Sequence, residues 1–307
     1  MKINVIFTGG TIGSAMQDGY ISPIASAKYT LIENYCEKFG NDVEFVTSNP
    51  YTILSENLSA EILNKLMTAV EESLNTDCDG IIVAHGTDTL QYSAAAAEYY
   101  FGNDTKPIVF VSANHPLEHP MSNGNINFEA AVQFIKQNKV RGVFVSYSND
   151  LKTADIHLAT RLLRHAEYDH KIFSLNGVYA TYKDGEFCLN DSLTPTKIPP
   201  CKGKRFSDTP GILNVTASPF EEYNYSLDDI KAIVFTPYHS GTLNTSSEKL
   251  KKFTQKAYEK AIPMYVTGSV KGAEYQSVKV YKELNITPVY HIPSIPLTIK
   301  LWLDEKI

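Results

Sequence analysis

The chain has 307 residues, 43% hydrophobic and 20% charged, with a net charge of −6. That is enough for two ordinary domains with a full core, and the composition excludes collagen-like, coiled-coil and disordered classes. No basic block interrupts the acidic balance, which argues against a nucleic-acid partner.

In chain order, Ile3 to Phe7 is a short apolar run ending at a glycine pair, as a buried parallel strand should, and Val43 to Val46 is a weaker strand. Ala60 to Leu74 has helical periodicity, with Ser59 as N-cap and Glu61 in the first turn. Strand-like Gly80 to Ala84, Pro107 to Val111 and Gly142 to Ser146 alternate with helix-like Gln91 to Phe101 and Phe128 to Gln137. Such alternation implies right-handed βαβ units and a parallel sheet. Thr181 to Pro210 reads as a hairpin followed by a linker. Alternation resumes with strands at Ile230 to Phe235 and Pro263 to Thr267, a helix at Ser246 to Glu259, and a closing helix at Pro296 to Leu303. The expectation is an α/β chain: a parallel-sheet N-terminal domain over 1–190 carrying the active-site motifs, a linker over 191–210, and a smaller α/β C-terminal domain over 211–307.

Cys36, Cys78, Cys188 and Cys201 are widely spaced without a C-x-x-C, so neither a zinc site nor a disulfide framework is expected. The start MKINVIFTGG is too short in apolar residues for a signal peptide, and no segment has bilayer-spanning length. The expected location is the cytoplasm.

In parallel α/β sheets, ligands bind outside the carboxyl ends of the strands. Two strand ends carry unusual loops: Thr8-Gly9-Gly10-Thr11-Ile12-Gly13, and His85-Gly86-Thr87-Asp88-Thr89. Glycines let backbone and substrate approach closely, and a threonine is a usable nucleophile if a neighbour takes its proton. The first loop lacks both the G-x-G-x-x-G spacing and the P-loop Lys-Ser/Thr. Threonine and aspartate also cap helices, and spacing alone does not separate cap from nucleophile. His85 is expected to fix its loop through backbone contacts. His115 and His119 have the i, i+4 interval, but Pro116 and Pro120 argue against a helix offering both to a metal.

TGGTIGS (Thr8 to Ser14) and IIVAHGTDTLQYSA (Ile81 to Ala94) together resemble the bacterial-type L-asparaginase family. DGYI (Asp18 to Ile21), Ser55-Glu56-Asn57 and VSANHPLEHPMSNGNINFEAA (Val111 to Ala131) extend the resemblance over nearly the whole chain. The resemblance implies cofactor-free, metal-free hydrolysis of L-asparagine to L-aspartate and ammonia. It implies Thr11 as nucleophile, Tyr20 on a closing loop as its activating phenol, and Thr87 as the residue orienting water or an alternative nucleophile. It further implies Asp88 as ammonium binder, Ser55 as α-carboxylate binder, and the Ala113 carbonyl facing the substrate amide. Such a zwitterion needs hydroxyl and N–H donors at one end and a carboxylate at the other. Glu56 stands where many relatives carry Gln, and is expected to tighten the ammonium pocket against the longer glutamine.

At the position of the family's catalytic lysine the resemblance puts an arginine, which joins Thr11, Tyr20, Thr87 and Asp88 in the expected catalytic set. Counting back nine residues from Phe173 gives Arg164, with Lys152 and Lys171 as alternatives. Arginine keeps the charge but cannot shuttle a proton. Glu274 matches poorly as the acid that the family often draws from a neighbouring subunit, and is left out of the catalytic set. The family's architecture implies a homodimer or homotetramer. Two other readings stay open. One is an amidotransferase subunit, which usually carries an extra domain before its TGGT motif. The other is a catalytically weak amino-acid-binding homologue, or an amidohydrolase acting on a related amide.

Overall fold

A computed structural model of the protein describes residues 1–17, 19–23, 27–137, 140–269 and 275–304. The chain divides into two compact units, Met1–Asp208 and Thr209–Ile307.

The first unit opens with β1 (Lys2–Phe7), a 3-10 turn (Thr11–Gly13), a hairpin of β2 (Ser14–Gln17) and β3 (Tyr20–Pro23), α1 (Ala27–Phe39) and β4 (Glu44–Ser48). Then come α2 (Ala60–Leu74), β5 (Gly80–Ala84), α3 (Leu90–Phe101), β6 (Ile108–Val111), α4 (Gly124–Gln137) and β7 (Val143–Tyr147). The α2 bounds are those expected, because Ser59 caps it: its hydroxyl accepts from the Ile62 N–H at 3.3 Å. Strands β4, β1, β5, β6 and β7 lie side by side and parallel. Side chains alternate across this sheet. Ile3, Val5, Ile82, Val109 and Val111 share a core with Leu31 and Tyr35 of α1 and Phe128 and Phe134 of α4. Asn4, one step out of phase, sends its amide to the Ser73 carbonyl at the end of α2.

Beyond β7 the sheet departs from the all-parallel expectation. β8 (Ala154–Leu158), β9 (Ala180–Lys183) and β10 (Glu186–Leu189) continue it antiparallel. A parallel crossover needs about a dozen residues or more. Only Ser148 to Thr153 separate β7 from β8. Asp150 closes that turn by accepting from the Lys152 and Thr153 N–H groups at 2.8 Å each.

The segment expected as a linker lies along the first unit. The Asn103 amide donates to the Thr196 carbonyl at 2.6 Å, and its oxygen accepts from the Ile198 N–H at 3.0 Å. The Cys201 N–H donates to the Tyr99 carbonyl at 3.0 Å, and Asn64 makes a two-way pair with the Phe206 backbone at 2.9 and 3.0 Å.

The second unit is a four-stranded parallel sheet, ordered β11 (Ile212–Thr216), β12 (Ala232–Thr236), β13 (Met264–Ser269), β14 (Ile286–Tyr290). α5 (Glu248–Glu259) covers one face through Leu250, Phe253 and Ala257. α6 (Ser294–Asp304) packs Leu297 and Leu301 on Ala232, Val234 and Val289. The α/β expectation, with a larger mostly parallel sheet and a smaller parallel one, holds.

Candidate active site

At the carboxyl end of β1 the Thr8 N–H and hydroxyl both donate to the Ala84 carbonyl, at 3.1 and 3.0 Å, tying this strand end to that of β5. Gly9 and Gly10 follow with φ of 100° and 73°, a left-handed backbone that disfavours any side chain. A Cβ on Gly10 would lie 2.2 Å from the Gly86 Cα. The two glycine loops therefore touch backbone to backbone, which sets Thr11 beside the second loop. Ile53 completes this junction, donating to the Thr8 carbonyl at 3.1 Å and accepting from the Gly10 N–H at 3.0 Å. Thr11 opens the 3-10 turn, half-buried, and no described residue hydrogen-bonds its hydroxyl.

The second loop is held from below. His85 is buried, with Nδ1 2.8 Å from the Gly86 carbonyl; a carbonyl only accepts, so Nδ1 carries the proton. Burial pushes this imidazole down to about 4, with the Gly86 bond opposing, so it stays neutral near pH 7. A Cβ on Gly86 would meet the Ser55 Cβ at 2.4 Å, so buried Ser55 lies directly on that glycine. The Ser55 hydroxyl is 3.5 Å from Asp88 Oδ2, at the outer limit of a hydrogen bond, and its carbonyl accepts from Thr89 Oγ1 at 2.9 Å. Asp88 and Glu56 are exposed.

Thr87 sits in a directed chain. Its single proton goes to the Ala113 carbonyl at 2.9 Å, so the Ser112 hydroxyl, 2.6 Å away, donates to Thr87. Ser112 is fully buried, and its carbonyl accepts from the Asn127 amide at 2.8 Å. The Asn127 oxygen in turn accepts from the Ser148 N–H at 2.7 Å, so one side chain spaces the ends of β6 and β7. Sequence reasoning missed Ser112; its position next to Ala113 at a strand end was the available signal.

The structure thus brings Thr11, Ser55, Thr87, Asp88 and Ala113 to one cluster of strand-end loops. Glu56 follows Ser55 in the short turn Ser55–Asn57, while Tyr20 and Arg164 have no described bond to this cluster. Tyr20 is on β3, opposite Gln17, 77% exposed and without a described hydrogen bond to Thr11. Asp18, of the same motif, and Glu274 lie outside the described residues. Arg164 is exposed, and among the described residues no ion pair or hydrogen bond ties it to Thr87 or Asp88. The neighbouring His165 is half-buried within the fields of Asp88 and Asp169; burial lowers its pKa while the two carboxylates oppose. His115 stacks on His119 and His170, with ring centroids 4.2 and 4.9 Å apart. Among the described residues no group of three or more His, Cys, Asp or Glu side chains is placed to hold a metal ion, and no helix is long and apolar enough to cross a membrane.

Fold and loop geometry define the class: an α/β protein of two parallel-sheet units, with a hydroxyl-rich cluster at the carboxyl ends of the first sheet's central strands. The chain belongs to the asparaginase family, whose description "Asparaginase, N-terminal" matches residues 2–182. Curated relatives include a glutamyl-tRNA(Gln) amidotransferase subunit from Metallosphaera sedula, 31% identical over 142 residues covering 44% of this chain and 31% of that protein. The corresponding protein of Methanosphaera stadtmanae is 27% identical over 199 residues, covering 62% and 44%. The match therefore spans less than half the length of either relative. Among solved structures, the thermostable L-asparaginase from Thermococcus kodakarensis aligns over 98% of this chain and 92% of its own, with TM-score 0.76 and 20% identity. L-asparaginase I from Vibrio cholerae O1 biovar eltor gives 0.78 at 17% identity over 98% and 92%. A probable cytoplasmic L-asparaginase from Campylobacter jejuni gives 0.78 at 18% over 98% and 94%. At these identities the likeness is one of fold.

Proposed function

We propose that the protein is an L-asparaginase that hydrolyses L-asparagine to L-aspartate and ammonia, without cofactor, in the cytoplasm and as a homodimer or homotetramer. The observation that supports this reading is the Gly10–Gly86 backbone contact, which joins the loop of Thr11 to the loop of Thr87 and Asp88, with Ser55 against Gly86. Asp88 takes the substrate ammonium and Ser55 its α-carboxylate, a division of charge that suits a free amino acid. Thr11 attacks the side-chain amide carbon, ammonia leaves, and water hydrolyses the resulting ester. Two features favour Thr11 over Thr87 as nucleophile: the Thr87 proton is committed to a carbonyl, which is no base, and the Thr11 hydroxyl has no described partner. Thr87 then orients the attacking water, and Tyr20 serves Thr11 once the β2–β3 hairpin closes over substrate. Glu56 adds a second negative charge near the ammonium. Arg164 acts through its charge.

The test is ammonia release from L-asparagine and L-glutamine by the purified protein, beside Thr11→Ala and Thr87→Ala. Turnover of asparagine, abolished by Thr11→Ala, is expected; no release from either amide overturns the reading. The names of the curated relatives favour a second reading, as one component of a glutamyl-tRNA(Gln) amidotransferase. The chain would then release ammonia only within such a complex, and none when assayed alone.

A further inference from the structure

Ala113 offers its carbonyl to the Thr87 hydroxyl at 2.9 Å, yet it belongs to no helix or strand and lies in the loop between β6 and α4. What aims that carbonyl is the other half of its own peptide unit. The Ala113–Asn114 peptide is planar and trans, so its N–H and C=O point in opposite directions, and fixing one fixes the other. The Asn114 N–H donates to Asn123 Oδ1 at 2.9 Å, and the Asn123 N–H returns a bond to Asn114 Oδ1 at 3.0 Å. Asn123 is itself held firmly. It is 1% exposed, its side-chain amide donates to the Ser148 carbonyl at 2.8 Å, and its own carbonyl accepts from the Asn127 N–H at 3.0 Å. One buried side chain thus ties the Ala113 peptide to the segment after β7 and to the head of α4. The peptide unit on the other side of Ala113 is fixed too, by the Asn127 amide on the Ser112 carbonyl at 2.8 Å. Packing leaves little room between these two holds: a Cβ on Gly124 would lie 3.1 Å from the Ala113 Cβ.

We propose that Asn123 is a positioning residue whose side-chain oxygen, by holding the Asn114 N–H, turns the Ala113 carbonyl towards Thr87 and the substrate amide. The inference rests on the asparaginase reading, in which that carbonyl faces the amide under attack. Ala113 and Thr87 serve the reacting end of the substrate, whereas Ser55 and Asp88 hold its charged end. Loss of the Asn123 oxygen therefore falls on kcat and spares KM. The two halves of the Asn123 amide also divide by role: the oxygen aims the carbonyl, and the nitrogen fastens the side chain to Ser148.

The experiment is steady-state ammonia release from L-asparagine, with a thermal melt, for the parent, Asn123→Ala, Asn123→Asp and Asn114→Ala. Asn64→Ala, which strips two side-chain bonds to backbone from α2, is the control for lost stability alone and should keep the parent's kcat. Asn123→Ala is expected to lose at least about tenfold in kcat, with KM within about twofold of the parent. Asn123→Asp keeps the acceptor and loses the donor, so it should melt earlier than the parent yet hold kcat within about threefold. A merely structural role predicts the opposite, a kcat that follows the melt. Asn114→Ala removes the return bond and a bond to the Met121 carbonyl, and should lose about fivefold in kcat. It decides the question if neither Asn123 variant folds, since a kcat equal to the parent's would then overturn the inference. Asn123→Ala within about twofold of the parent kcat, or Asn123→Asp as damaged as Asn123→Ala, also overturns it and leaves the asparaginase reading intact. Failure of that reading shows differently, as no release by the parent, and takes the inference with it.

Discussion

Gly10→Ala tests whether the touching glycine loops are what assembles the site. The new Cβ would start 2.2 Å from the Gly86 Cα and 2.5 Å from the Gly86 nitrogen, whereas ordinary contact begins at 3.4 Å. Both obstacles are backbone atoms, so no side chain can swing aside, and the loops must part by about 1 Å. Alanine at φ 73° adds about 1–2 kcal/mol of backbone strain. The melting temperature should therefore fall by about 5 °C. The larger effect falls on rate, because a displacement of about 1 Å between reacting groups costs on the order of 100-fold in kcat. Gly13 is the internal control. It lies in the same 3-10 turn, its φ is not left-handed, and a Cβ there would meet nothing within 4 Å. Ammonia release from asparagine and a thermal melt, run on parent, Gly10→Ala and Gly13→Ala, decide the matter. A Gly10→Ala enzyme within about threefold of the parent kcat, or a Gly13→Ala enzyme equally damaged, refutes the argument.

Three further expectations follow from buried and half-buried polar groups. Glu98 is 3% exposed, and burial pushes its carboxyl up to about 7, against the Thr160 N–H at 2.8 Å and the charge of Arg161. Its folded pKa exceeds the unfolded one, so the folded chain holds a proton that the unfolded chain loses, and stability falls as pH rises from 4.5 towards 7. Urea melts of Glu98→Gln should gain about 3 kcal/mol on the parent across that window; a difference that does not change with pH refutes it. Ser112→Ala removes the donor to Thr87. It should lower kcat about tenfold with little change in KM, as seen in steady-state kinetics, because only the aim of Thr87 is disturbed. Asn64→Ala strips both bonds to the Phe206 backbone and should cost about 1–3 kcal/mol in denaturant, while leaving KM unchanged.

Elements with a strong apolar period and a local start signal were legible from sequence. α2 has both, with Leu63, Leu66, Met67 and Val70 buried on one side and Ser59 at its head. β8 was not, because Asp155 and His157 interrupt its apolar run. The partners these polar groups have are distant in sequence: Thr181 donates to Asp155 at 2.8 Å, and Ser174 Oγ lies 2.7 Å from His157 Nδ1. Within the site, the threonines and glycines of the two loops stood out because backbone approach demands glycine at Gly10 and Gly86. Ser112 did not, since a serine after a strand is ordinary until Thr87 is seen 2.6 Å away. Counting from Phe173 reached Arg164, which is exposed and has no described tie to Thr87 or Asp88. A residue count holds nothing of the Leu162–Ser174 bridge or of the Ile172 N–H bond to Asn149 that shape this segment.

The stretch around 196–206 that lies along α2 and α3 bears on how the protein is made. Its partners, Asn64, Tyr99 and Asn103, leave the ribosome about a hundred residues earlier, and they wait with unmet amide and carbonyl groups until the stretch emerges. At ordinary synthesis rates of about 5–20 residues per second, that interval is on the order of 10 seconds. Translation that stalls near residue 190 would release a sheet complete in its strands yet uncovered along these two helices, and so open to chaperones and proteases. The first unit runs to Asp208, well past its last strand, so its final covering segment is also the last part of it to be made.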